Sequence, residues 1–131
     1  MTERARRVLI VEDDESLRRI VSRHLRSQGF VVDEAASAEA AVSTLEGGLR
    51  PGIVILDLNL PGDTGWDFLR GPALGAAGSP PVVITSAITV SPRRLDEFGC
   101  AGYLPKPFPL ETLMATIERL LNPEETDETN D

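Results

Sequence analysis

Short apolar runs alternate with helix-like spacing along this chain. Val8–Val11 is apolar at every position and is closed by the acidic run Glu12–Asp14, the pattern of a strand buried on both faces. From Ser16 onward, Leu17, Ile20, Val21 and Leu25 trace one face of a helix, and Gly29 ends it. Phe30–Ala35 predicts a second strand, half polar and therefore nearer a sheet edge. Ser37 stands where it caps a second helix, closed by Gly47 and Gly48. Ile53–Leu56 is the third strand and the most apolar. Past a Pro/Gly-rich turn, Trp66–Leu74 predicts a short helix broken by Gly71 and Pro72. Val82–Thr85 is the fourth strand, entered through Pro80 and Pro81, and Pro92 permits only a short helix to about Phe98. Ala101–Leu104 is the fifth strand. Leu110, Leu113, Met114, Ile117, Leu120 and Leu121 then mark the stripe of a last helix.

Five strands, each followed by a helix, require parallel pairing through right-handed crossovers. The pattern predicts a doubly wound α/β domain with helices on both faces of the sheet, whose ligands bind at the carboxyl ends of the strands. With 131 residues one domain is expected, spanning 8–121. Residues 1–7 read as a basic N-terminal extension, and 122–131 as an acidic tail expected to be disordered, with five acids and no base between Glu124 and Asp131. The net charge of −8 and pI near 4.6 argue against direct nucleic-acid binding. No apolar run is long enough to span a bilayer, and Val8–Val11 is too short for a signal peptide. With a lone cysteine, Cys100, a cytoplasmic location is expected.

The strand tips carry the candidate chemistry. Strand one ends in Glu12, Asp13 and Asp14, strand three in Asp57, strand four in Thr85 and Ser86, and strand five leads to Lys106. A carboxylate at the end of a buried strand is costly unless paired, liganded or protonated. If strands one and three are neighbours, their acids converge and repel. A divalent cation relieves that conflict: Mg²⁺ accepts one or two carboxylates, a carbonyl and waters. Lys106, the chain's single lysine among thirteen basic residues, can meet the remaining charge. Carboxylate, cation, hydroxyl and ammonium at one point suit phosphoryl transfer, with Asp57 as nucleophile.

Four stretches, "VLIVEDDESLRRIV", "ILDLNLPGDTGWDFL", "VVITSA" and "GYLPKPF", resemble the receiver domain of bacterial two-component response regulators, in that family's order and spacing. The resemblance covers about Val8 to Leu121 and implies a flavodoxin-like five-stranded sheet of order 2-1-3-4-5. It makes Asp57 the phosphoacceptor, Asp13 a direct Mg²⁺ ligand and Glu12 one acting through water. Asn59 supplies a backbone carbonyl to the metal, for which Mn²⁺ can substitute. Ser86 is the phosphoryl-binding hydroxyl, Lys106 pairs with Asp57 and its phosphoryl oxygens, and Tyr103 is the switch aromatic. A cis peptide is implied at Lys106–Pro107. The implied donor is a sensor histidine kinase or a histidine phosphotransfer protein. The implied output is a changed surface on the helix after strand four, strand five and the last helix, read by a protein target or an output domain elsewhere in a longer chain. A phosphorylation-dependent homodimer is a further implied state. Such a protein modifies itself and is not a turnover enzyme.

Departures from the family pattern stand beside it. The segment between Ala87 and Tyr103 is about two residues short and contains Pro92. Ile88 replaces a residue that is often polar and flanks the path of the hydrolytic water. Among the other residues, Asp14 reads as a helix cap, His24 as a solvated side chain, and Cys100, Phe98 and Phe108 as packing, while Trp66 falls near the site. Two alternatives remain. One is a phosphorylation-independent receiver-like docking or dimerisation module. The other is a phosphatase using an aspartyl phosphate, which would need a second aspartate where Asn59 stands.

Overall fold

The computed structural model describes residues 6–60, 62 and 64–122, so the acidic tail and most of the N-terminal extension lie outside the described residues. The strands are β1 (Arg7–Val11), β2 (Val31–Ala35), β3 (Ile53–Asp57), β4 (Val82–Ser86) and β5 (Gly102–Pro105). The helices are α1 (Glu15–Ser27), α2 (Ala38–Glu46), α3 (Gly65–Arg70), α4 (Ala73–Ala76), α5 (Pro92–Glu97) and α6 (Leu110–Leu121). All strand pairs are parallel, in the order β2-β1-β3-β4-β5. The half-polar strand β2 takes an edge, as its composition predicts, and β3, apolar from Ile53 to Leu56, lies at the centre.

Alternation along the strands divides the core in two. Leu9, Val11, Val54, Leu56, Val82 and Ile84 pack under α2, α3 and α4, with Ala41, Leu45, Phe68 and Leu74 opposite them. Val8, Ile10, Ile53, Ile55 and Val83 pack under α1 and α6, against Val21, Leu25, Leu113 and Ile117. Because every crossover returns the chain to the same end of the sheet, all five strands finish on one side of the molecule, and so do the residues that follow them.

Local chemistry sets the helix ends. The Asp14 carboxylate accepts from the Leu17 N–H at 3.1 Å and starts α1, and Ser37 Oγ accepts from Ala40 at 3.1 Å to start α2. Gly29, at φ +91°, turns the chain out of α1. The helix expected over Trp66–Leu74 is in fact two. Gly71 ends α3 in extended geometry, and Pro72 begins the separate turn α4. The helix after β4 is short, as Pro92 predicts, with six residues and none fully buried. The folded body also starts earlier than the apolar pattern suggests. Arg7 is already in β1, and the Arg6 guanidinium donates to the Gln28 and Gly29 carbonyls at 2.8 and 3.2 Å while lying 4.4 Å from the Phe30 ring centroid. A cation on the terminal carbonyls of α1 is favourable to the helix dipole, a long-range gain that strand periodicity does not reveal. Among the described residues no helix is long and apolar enough to cross a membrane.

Candidate functional site at the strand tips

Adjacent parallel strands in register bring their next residues together. β1 and β3 pair through Val11 and Leu56, so Glu12 and Asp57 emerge side by side. Carboxylate oxygens of Glu12, Asp13 and Asp57 all lie within 4.8 Å of one another. Glu12 and Asp57 are buried, with 3% and 2% of their surface exposed, whereas Asp13 faces solvent.

Lys106, delivered by β5 and the cis Lys106–Pro107 peptide, reaches back across β4. Its Nζ lies 2.7 Å from Glu12 Oε1 and 3.3 Å from Asp57 Oδ2. The ammonium is therefore shared, and lies closer to Glu12 than to the aspartate with which it was expected to pair. Main-chain donors complete the pair: Asn59 N–H bonds Asp57 Oδ1 at 3.0 Å, and Asp14 N–H bonds Glu12 Oε2 at 3.1 Å.

Three carboxylates meet one ammonium, and their surroundings move the pKa values of Glu12 and Lys106. Burial pushes the Glu12 carboxyl up to about 7, with the Asp57 charge adding to it and the Lys106 and Asp14 hydrogen bonds opposing. Burial pulls the Lys106 ammonium down, but the hydrogen bond and charge of Glu12, followed by Asp57, outweigh it and raise its pKa. Two buried acids, one exposed acid and excess negative charge form an oxygen donor set suited to a small hard cation that retains some of its water.

Ser86 ends β4 with 2% of its surface exposed. Its Oγ accepts from the Ile88 N–H at 3.0 Å and from Asn59 Nδ2 at 3.3 Å. Thr85, one place earlier, pairs with Asp57 in register and therefore points to the opposite face from Ser86. Half-buried Tyr103 on β5 donates its hydroxyl to the Ile88 carbonyl at 3.3 Å. Ile88 thus links Ser86 to Tyr103 through its own peptide groups, while its side chain is 65% exposed. Trp66 on α3 lines a pocket of about 390 Å³ together with Asn59, Ser86 and Ile88.

Among the other expectations, Asp14 is the cap of α1. His24 falls in the last turn of α1, at the far end of the sheet from the strand tips. Cys100 is half-buried against the core, and burial raises its thiol pKa.

Sequence reasoning placed Asn59 beside the path of the hydrolytic water, but it passed over Gly65 and the hydrogen bond from the Asn59 amide to Ser86. A Cβ at Gly65 would lie 2.8 Å from both the Asp57 carbonyl oxygen and the Leu58 Cα, closer than atoms pack. The Gly65 N–H also bonds the Leu58 carbonyl at 3.2 Å. The glycine lets the start of α3 press directly on the backbone that carries Asp57. Its place eight residues after Asp57 in a turn was the available signal.

The chain matches the family model for the response regulator receiver domain over residues 8–118. Among curated proteins it is 35% identical over 116 residues to the probable transcriptional regulatory protein SilR of Salmonella typhimurium, covering 88% of this chain and 50% of that one. It is 33% identical over 123 residues to the response regulator MprA of Mycobacterium sp. strain KMS, covering 93% and 53%. It thus spans about half the length of these curated relatives. Among solved structures, the Vibrio cholerae chemotaxis protein CheY4 superposes with a TM-score of 0.78 at 31% identity, covering 87% of this chain and 97% of that one. The receiver domain from the hybrid histidine kinase CckA gives 0.74 at 33% identity, covering 88% and 98%. Strand order, an acid cluster shared between β1 and β3, a lysine reaching it from β5 and the extent of the family match agree, and the chain belongs to the response regulator receiver domains of two-component signalling systems.

Proposed function

We propose that this receiver is a phosphorylation-activated switch with Asp57 as phosphoacceptor. The observation that carries the reading is the Lys106 ammonium 3.3 Å from Asp57 Oδ2 beside the Glu12–Asp13–Asp57 cluster. A carboxylate buried at a strand tip and held by its neighbours is a positioned nucleophile. The donor is phosphohistidine on a sensor histidine kinase or a histidine phosphotransfer protein, acting in the cytoplasm. An Asp57 oxygen attacks phosphorus, the phosphorus–nitrogen bond breaks, and its electron pair returns to the imidazole. Mg²⁺, or Mn²⁺ in its place, held by Asp13, Asp57, the Asn59 carbonyl and Glu12 through water, would neutralise charge on the transferring group. Lys106 meets a further phosphoryl oxygen. Ser86 Oγ already accepts two hydrogen bonds, so its own proton is free for the phosphoryl group.

The readout is a shift in population. When Ser86 moves toward the phosphoryl group, the hydrogen bonds that join it through Ile88 to Tyr103 rearrange. The surface of α5, β5 and α6 changes with them, and the shift is limited by the difference in contacts between the two states. That surface engages a protein target, an output domain in a longer chain, or a second phosphorylated copy. Water later hydrolyses the aspartyl phosphate, so the protein acts on itself and not on a stream of substrate.

Incubation with Mg²⁺ and a small phosphodonor, followed by intact-mass measurement, tests the reading. One phosphoryl group is expected on the wild type, lost over time, and none on Asp57→Asn. Failure of the wild type to gain mass would leave only a docking module, and many turnovers of donor would point to a phosphatase.

A further inference from the structure

Glu12 is fixed from three directions. Its N–H donates to the Ala35 carbonyl of β2 at 3.0 Å, and its carboxylate is held by Lys106 and the Asp14 N–H. Its carbonyl accepts from Arg18 Nη1 at 2.9 Å. Arg18 belongs to α1, and its side chain is only 15% exposed. The same guanidinium donates through Nε to Glu34 Oε1 on β2 at 3.1 Å, so it spans the sheet edge and the loop that carries the acids. Glu34 Oε2 in turn accepts from Arg26 Nη2 at 3.3 Å, and that nitrogen also donates to the Val32 carbonyl at 3.1 Å. Asp13, by contrast, is exposed, and among the described residues no hydrogen bond or ion pair holds its side chain. The direction of its carboxylate therefore depends on the plane of the Glu12–Asp13 peptide, whose oxygen Arg18 grips.

We propose that Arg18 is a positioning residue for the cation site: by holding the Glu12 carbonyl it keeps the Asp13 carboxylate turned toward Glu12 and Asp57. The inference rests on the reading of these three acids as the site of a divalent cation. Glu34 anchors the guanidinium, whose rigid planar fork lets one side chain hold two acceptors at fixed angles. Groups that orient a metal ligand without touching the metal govern affinity strongly. The sign of the effect separates this role from a simple charge effect. A guanidinium beside the cluster repels an arriving cation, so if it acted as a charge alone its removal would tighten binding. If it holds the peptide, its removal weakens binding, because the exposed Asp13 carboxylate, repelled by Glu12 and Asp57, is then free to turn into solvent. Arg26 provides the comparison within the same network. It shares Glu34 with Arg18 but reaches the β2 backbone and not the acid loop.

The test reads Mg²⁺ affinity of the full chain from the rise of Tm across a Mg²⁺ titration, with unfolding in EDTA as the baseline. For Arg18→Gln the Kd for Mg²⁺ is expected to rise about tenfold, with partial recovery in Arg18→Lys, which keeps a charged donor for the Glu12 carbonyl. The Mg²⁺ concentration that gives half-maximal phosphorylation from a small phosphodonor should rise by the same factor. Arg26→Gln should leave Kd within about twofold of wild type, since it loosens α1 on β2 without releasing the acid loop. An unchanged Kd in Arg18→Gln would overturn the positioning role, and a lower one would leave Arg18 only its charge. Equal weakening in Arg18→Gln and Arg26→Gln would overturn it as well, by tracing the effect to the contact between α1 and β2. A wild type whose Tm does not respond to Mg²⁺ would overturn the cation site and the role of Arg18 with it; a phosphoryl group gained by that protein, seen by intact mass, would show that Asp57 as acceptor survives.

Discussion

Replacing Asp13 by asparagine should make the metal-free protein more stable and the Mg²⁺-saturated protein less stable than wild type. The carboxylate oxygens of Glu12, Asp13 and Asp57 lie within 4.8 Å of one another. At an effective dielectric constant of about 20, like charges at that distance repel by roughly 3.5 kcal/mol. Near pH 7 Glu12 is about half protonated, so Asp13 opposes about one and a half charges, or roughly 5 kcal/mol. Lys106, 2.7 Å from Glu12 and 3.3 Å from Asp57, attracts Asp13 as well and offsets about half of that. Asp13 is exposed, and solvent screening reduces the remainder to about 1–2 kcal/mol. For a domain of this size the gain is a rise of about 3–8 °C in Tm with EDTA present. Mg²⁺ at a hundred times its Kd stabilises the wild type by about 2.7 kcal/mol, and the variant, lacking a ligand, gains little. The two melting curves should therefore cross at roughly 5–30 times the wild-type Kd. Thermal unfolding across a Mg²⁺ titration, read by circular dichroism, locates the crossing. A variant that melts below wild type in EDTA would refute the repulsion, and equal Mg²⁺ gains in both proteins would remove Asp13 from the metal site.

Three further outcomes follow from the geometry. Glu12, raised to about 7 in the folded protein, holds its proton more tightly folded than unfolded; its contribution is therefore full below about pH 4.5 and is lost as pH rises toward 7. Denaturant titrations in EDTA from pH 4.5 to 7.5 should show Glu12→Gln without that loss, and a pH-independent difference from wild type would contradict the assignment. Gly65→Ala places a Cβ 2.8 Å from the Asp57 carbonyl oxygen and should cost about 1–3 kcal/mol in chemical denaturation while slowing phosphorylation; wild-type stability would show that α3 is free to move away. Ile88→Glu replaces an exposed apolar side chain next to Ser86 and should shorten the phosphoryl lifetime measured by mass, since a carboxylate can orient the hydrolytic water; an unchanged lifetime would dismiss Ile88 as a shield.

The elements were legible because their causes are local. Strand β3 is apolar at each of Ile53–Leu56, the stripe of α6 recurs at helical spacing, and Asp14, Ser37, Gly29 and Pro92 act within a turn of where they stand. Parallel order followed from strands alternating with helices, and with it the side of the sheet on which the chemistry collects. Asp57, Asp13, Ser86 and Lys106 could be singled out from that placement and from four motifs in sequence. The break of the third helix into α3 and α4 was visible as Gly71–Pro72 but not as two separate helices, because a four-residue turn carries almost no periodicity.

The sequence alone thus determined which segments become strands and helices, their parallel arrangement, and the kinds of residue at the strand tips. Only the tertiary structure decided the distances between groups far apart in the chain. It made Glu12 the nearer partner of Lys106, bonded the Asn59 amide to Ser86, pressed Gly65 onto the backbone of Asp57 and laid Arg94 over the paired rings of Trp66 and Phe98. The physical reason is range. Caps and periodicity depend on neighbours a few residues away, whereas hydrogen bonds and charge pairs are settled at separations of about 3 Å, which the packing of whole strands and helices fixes together.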